Sequence, residues 1–163
     1  MSISLSDASL KTYRQLLPAS LAIMKKAEKY FTDEGANLND LAEIRLIEDM
    51  APLTFQVFSV VHHSLGAIDA LKTGEFAPPK MPENLSFNDL IDMLENAEEK
   101  LNHFSDEDIN SLSGKEVMFR MGQIEWAFTA ENFILSFSLP NFYFHVTTSV
   151  SYTHLTLPTS DLV

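Results

Sequence analysis

The chain has 163 residues, no cysteine, and 23 acidic against 11 basic side chains, a net charge of −12. That length suits one domain with a buried core, and the lack of cysteine excludes disulfides and thiol nucleophiles and agrees with a reducing, cytoplasmic setting. The acidic balance argues against nucleic acid and anionic membrane as partners; no apolar run reaches the ~18 residues of a membrane span, and MSISLSDASLKTYRQLLP lacks the basic-then-apolar order of a signal peptide.

In chain order, residues 4–34 read as a first helix. Leu10, Tyr13, Leu16, Leu17, Leu21, Met24, Ala27 and Phe31 keep helical spacing. Pro18 inside that pattern predicts a kink, and Gly35 a stop. Asn37 or Asn39 is placed to cap a short helix over 40–44. A second long helix is predicted from an Asp49 cap, with Pro52 in its first turn, to about Lys72. Its core stripe is Leu53, Val57, Val60, Val61, Ser64, Ile68 and Leu71. On an unbroken helix His62 and His63 fall on opposite flanks of that stripe, so they are not expected to face one site. Arg45 and Asp49 read as a cap and an ion pair.

Three prolines in GEFAPPKMPEN, residues 74–84, predict a stiff loop. The third helix starts at Ser86, with Asp89 completing a short capping box and Leu85 and Leu90 a hydrophobic staple. Its apolar stripe is Phe87, Leu90, Ile91, Leu94, Leu101 and Phe104. His103 stands near its end, where a cationic or polar ring offsets the dipole. From about 115 to 128 the period changes to two. One hairpin register with a turn at Gly122-Gln123 pairs Met121 with Ile124, Phe119 with Trp126 and Val117 with Phe128, and sets Arg120 against Glu125. Such a hairpin needs its apolar face covered by helices. Thr129 then caps the last helix.

That helix carries LSFSLPNFYFHVTT, Leu135 to Thr148. A regular wheel puts Phe133, Phe137, Pro140 and Phe144 on one side and Leu135, Leu139, Phe142 and Val146 on nearly the opposite side, with Ser138, Asn141 and His145 forming a polar stripe between. Two opposed apolar faces predict a helix buried from two directions, centrally or against a second subunit. Pro140 predicts a kink.

Ser149 to Thr159, SVSYTHLTLPT, reads as the in-frame translation of a transposon-end sequencing adapter, and Val163 falls where that adapter meets a stop. Residues 149–163 are therefore expected to be a non-native tail on a domain spanning 1–148, with His154 outside any site. The competing reading is a short strand of alternating Val150, Tyr152, Leu155 and Leu157, and codons 149–159 of the parent DNA distinguish the two.

SLSDASL near the start, RLIEDMAPLTFQV (Arg45 to Val57) and LPNFYFHVTT (Leu139 to Thr148) carry a resemblance. On these the chain resembles an uncharacterised, domain-of-unknown-function family within the DinB-like superfamily of four-helix bundles. The resemblance implies a mainly α fold, a DinB-like four-helix bundle with a β-hairpin before the last helix. The superfamily includes metal-dependent, thiol-using transferases that hold a divalent metal such as zinc or nickel with three histidines, one on helix two and two spaced four apart on helix four. Here the matching positions are His62 or His63 and His145, but Asn141 and Ser149 stand four residues to either side of His145, so the triad is incomplete.

Three or four protein ligands are usual for a metal. His145 with one of His62 and His63 gives two, and Asn141 or an acid such as Asp49 or Glu131 would have to complete the set, so His145 reads more simply as a buried imidazole bonded to a neighbour such as Asn141 or a facing backbone group. There is no glycine-rich phosphate loop and no nucleophile–base spacing. Two functions stand open: a non-catalytic binding or structural homodimer, which the doubly apolar last helix favours, and a metal-assisted enzyme of DinB type.

Overall fold

The computed structural model describes residues 3–155, with side chains as far as Tyr152. The first helical region is two helices, α1 (Leu5–Ala8) and α2 (Leu10–Asp33). They part at Ser9, whose hydroxyl donates to the Leu5 carbonyl at 2.7 Å. Pro18 lies inside α2 without ending it, so the irregularity sits at Ser9 rather than at the proline. Gly35, at φ 72°, closes α2: the Ala36 amide donates to the Phe31 carbonyl at 2.9 Å. Asn37, not Asn39, caps the short α3 (Leu38–Ala42).

The second helix starts later than its sequence suggests and is broken. Pro52 is itself the N-cap of α4 (Leu53–His62), while Asp49 lies in the preceding turn, and Arg45 donates to the Met50 carbonyl instead of pairing with Asp49. α5 (Leu65–Thr73) follows after a break at His63-Ser64. Ser64 explains the break. Its hydroxyl bonds back to the carbonyls of Val60 at 2.7 Å and Val61 at 3.2 Å, competing with the helical ladder.

α6 (Phe87–Asn102) has the expected capping box between Ser86 and Asp89, and His103 is its C-cap. The same Ser-x-x-Asp device starts α1 at Ser4 and the short α7 (Asp106–Asn110) at Ser105. Arg14 of α2 donates to the Leu101 carbonyl at 2.8 Å and to that of Phe104, tying α2 to the end of α6.

Strands β2 (Glu116–Met121) and β3 (Ile124–Thr129) form the hairpin in the predicted register, including Arg120 opposite Glu125. Gly122 has φ 62° at the first loop position, where a type II′ turn needs glycine. The loop after α5 adds a strand that the prolines hid: β1 (Glu75–Phe76) lies parallel to β2, giving the order β1-β2-β3. Val117 and Phe119 pack into the core, whereas Met121, Ile124 and Trp126, further out on the same face, are exposed.

The last helical region is α8 (Ala130–Phe133), a π turn over Ile134–Ser138, and α9 (Leu139–Leu155). In the π turn the Leu139 amide bonds the Ile134 carbonyl, five residues back. Pro140 follows directly, so its missing donor falls where the ladder has already been re-phased, and a bulge takes the place of a kink. The re-phasing also undoes the two opposed faces. Phe133, Ile134, Leu139 and Phe142 are buried, while Leu135 and Phe144 are each 57% exposed. The helix continues past Ser149, so residues 149–155 are helical rather than a strand, and Tyr152 is buried with its hydroxyl on the Ala51 carbonyl. Residues 156–163 of the suspected tail, and the His154 side chain, lie outside the described residues.

α2, α4, α6 and α9 are the four bundle helices. α2 packs on α6 and α9, and α4 packs on α6 and α9. Leu10, Leu17, Val57, Val60, Leu90, Leu94 and Phe142 fill the space between them. No helix among the described residues is long and apolar enough to cross a membrane.

Candidate functional site

The break at His63-Ser64 places the helix-two histidines differently from an unbroken helix. The rings of His62 and His63 lie 5.3 Å apart instead of on opposite flanks. His62 stacks on Phe76 of β1 at 4.2 Å and 18°. Gly66 makes this possible, because a Cβ there would sit 2.9 Å from His62 Nδ1. His63 also contacts Phe76, at 5.4 Å, and meets His145 of α9, the two imidazoles 5.9 Å apart and 15° from parallel.

His145 is held by a residue that the sequence reading passed over. Gln56 donates through Nε2 to the Ala51 carbonyl at 3.3 Å, which turns its Oε1 toward His145 Nδ1 at 2.8 Å. The amide oxygen can only accept, so His145 carries its proton on Nδ1 and leaves Nε2 as the acceptor. Helical spacing contains the signal for this: Gln56 lies three residues after Leu53 and four before Val60, within the buried stripe of α4.

The polar stripe divides. Ser138, fully buried, donates to the His63 carbonyl at 2.8 Å and bonds the Tyr13 hydroxyl at 3.2 Å. It therefore ties the π turn to α2 and to the broken end of α4. Asn141 does not reach His145; its Nδ2 donates to the Phe137 carbonyl at 2.7 Å, beside the π turn.

Burial lowers the pKa of His62 to about 4 and of His145 to about 4; His63, buried between the other two, falls to about 3. All three are neutral at pH 7. His62 Nε2 and His63 Nδ1 are buried without a hydrogen-bond partner. The rings continue outward from this centre. Phe137 contacts His63 at 5.9 Å and Phe119 at 4.8 Å, and Phe119 contacts Trp126 at 5.6 Å. On the other side, Phe55 and Phe144 contact His145 at 5.8 and 5.1 Å. One row of rings thus crosses from the hairpin, through two neutral imidazoles, to α4 and α9. Its ends are open: Trp126 is 52% and Phe144 57% exposed.

Among the described residues, no group of three or more His, Asp or Glu side chains is placed to hold a metal ion. His63 and His145 supply two imidazoles, and Asn141 is committed elsewhere. The donor set does not fit the three-histidine centre that the resemblance implied.

This arrangement, four bundle helices with a hairpin before the last, is a DinB-like helical bundle. A crystal structure of a DinB family member protein from Shewanella denitrificans shares the fold, with a TM-score of 0.76 over 96% of this chain and 89% of the other at 21% identity. The chain belongs to the family described as a domain of unknown function, DUF1993, whose model matches residues 5–152. No curated protein matches the sequence.

Proposed function

We propose that this protein is a non-catalytic binding bundle that works as a homodimer through the open ends of its aromatic row. One observation carries the reading. From Asn132 to Thr148, the stretch ahead of the suspected tail, the chain has no Asp, Glu, Lys or Arg, although its net charge is −12. Two copies so charged repel over most of their surface. They can approach where charge is absent, and there Leu135, Tyr143 and Phe144 expose 57%, 45% and 57% of their surface. Apolar patches of this kind mark interaction sites. The imidazoles within the row are neutral and packed against rings, which suits binding better than proton transfer at neutral pH.

Light scattering of the full chain at micromolar concentration is expected to give twice the monomer mass, with Phe144→Glu shifting it toward one. A strict monomer would overturn the homodimer. The competing reading, a metal-dependent enzyme of DinB type, needs a third ligand beyond His63 and His145. Near-stoichiometric metal by mass spectrometry, lost in His145→Ala, would overturn the non-catalytic reading.

A further inference from the structure

We infer that the second copy covers the face formed by α4 and α9, with Phe55, Phe58 and Phe144 at its centre. The inference rests on the homodimer reading and names its interface. Of the two open ends of the aromatic row, the Phe144 end is paired and the Trp126 end, on the hairpin, stays in solvent.

The four bundle helices divide into two neighbouring pairs of opposite character. α2 packs on α6, and α4 on α9. α2 carries seven charged side chains and α6 six, and Lys25 joins the two helices through Glu95 at 2.5 Å. The other pair is bare of charge. The chain holds no Asp, Glu, Lys or Arg from Ala51 to Ile68, which takes in all of α4, just as it holds none from Asn132 to Thr148.

Burial accounts for only one side of each helix. Gln56 and Val60 of α4 and Phe142 and His145 of α9 face inward and are buried. The outer side of α4 carries Phe55, 40% exposed, and three residues on the half-buried Phe58. The outer side of α9 carries Pro140, Tyr143, Phe144 and Thr147, which follow the spacing of one helical face and are all exposed. A bundle helix bordering water turns charge outward, as α6 does with Asp92, Glu95 and Glu99. Here two adjacent helices turn rings outward instead. They make one surface, because Phe55 and Phe144 both lie against the His145 ring, at 5.8 and 5.1 Å.

Charge selects a second copy as the occupant. A face without charge offers a foreign partner no ion pair, and the same face on a second copy needs none. Each copy carries −12, so the geometry of approach matters. A two-fold axis lying in this face turns the α2–α6 sides of the two copies to opposite ends of the dimer, where their charged surfaces are farthest apart. Aromatic rings at a charge-depleted centre are also the composition of an interface core.

The chain has no cysteine, so an introduced thiol is its only one. Thr147 is exposed on the α9 side of the face, and Glu99 is exposed on α6 one turn after Glu95, toward α2. Full-length Thr147→Cys is expected to react with a bulky maleimide about 10-fold more slowly at concentrations where the protein is dimeric than after dilution to the monomer, and Glu99→Cys to react at one rate throughout. In light scattering, Phe55→Glu is expected to weaken association by about 10-fold or more with an unchanged circular dichroism spectrum, and Trp126→Glu to leave association unchanged. A dimer in which Thr147→Cys labels at one rate at every concentration, or which Trp126→Glu dissociates and Phe55→Glu does not, overturns the α4–α9 face and leaves the homodimer standing. A monomer at every concentration overturns both.

Discussion

Gln56 and His145, the one 2% and the other 8% exposed, are joined by a 2.8 Å hydrogen bond between α4 and α9. Among the described residues, this is the hydrogen bond that fixes the tautomer of His145. Replacing Gln56 by Met keeps the volume and removes the acceptor. The buried Nδ1–H is then left without a partner, which costs ~1–3 kcal/mol. Urea unfolding of Gln56→Met should show this loss, and the double variant with His145→Phe should recover part of it, because both polar groups are then gone.

The same cluster sets an acid limit. His62, His63 and His145 have folded pKa values of about 4, 3 and 4 against an ordinary 6.5. The unfolded chain therefore binds more protons than the folded one between pH 6.5 and about 4, and stability falls as pH drops through that window. Each histidine contributes at most ~1.4 kcal/mol per pH unit, less for the partly solvated His62. The groups packed around them, Phe76, Phe137, Phe55 and Gln56, are uncharged. Carboxylates with lowered pKa, such as Asp7, add to the fall only at the acid end of the window, below about pH 5. Urea midpoints measured from pH 7.5 to 4 should fall steadily, and His63→Phe should flatten the slope.

Gly66 gives a test with a sign. Ala in place of Gly inside a helix normally gains ~1 kcal/mol. In α5 the new methyl would press on His62 Nδ1 at 2.9 Å and push the ring from Phe76. Gly66→Ala is expected to be neutral or destabilising in the native background and to regain its stabilising effect when combined with His62→Ala. A simple gain in both backgrounds would show that His62 moves aside freely.

Much of this fold could be read in the residues themselves. The hairpin register follows from one set of alternating apolar pairs, and the capping box at Ser86 from spacing alone. Three features did not follow, each for a local reason. Ser64 breaks the second helix through its own hydroxyl, which periodicity does not register. The π turn re-phases the last helix ahead of Pro140, so a uniform wheel places Leu135 and Phe144 on faces they do not occupy. β1 is two residues long and depends on a partner strand distant in sequence. The candidate site inherits these differences. His62 and His63 become neighbours only because α4 stops where it does, and His145 finds Gln56 rather than Asn141 because Asn141 is drawn back to the Phe137 carbonyl.

Ser138 is the residue on which these local events converge. Its hydroxyl donates to the His63 carbonyl, a group left over where α4 ends, and shares a second bond with Tyr13. Tyr13 is fully buried, and burial holds its hydroxyl protonated far above the ordinary range. Ser138→Ala leaves that hydroxyl and the His63 carbonyl to find new partners inside the bundle, at a cost of ~2 kcal/mol. Ser138→Thr keeps the hydroxyl but adds a methyl to a closed site, so it should restore only part of the loss. The distinguishing measurement is amide hydrogen exchange at Ser64 to Ile68. If Ser138 holds the broken end of α4, exchange there should accelerate in Ser138→Ala more than in α6, whereas uniform acceleration would mean that only global stability had changed.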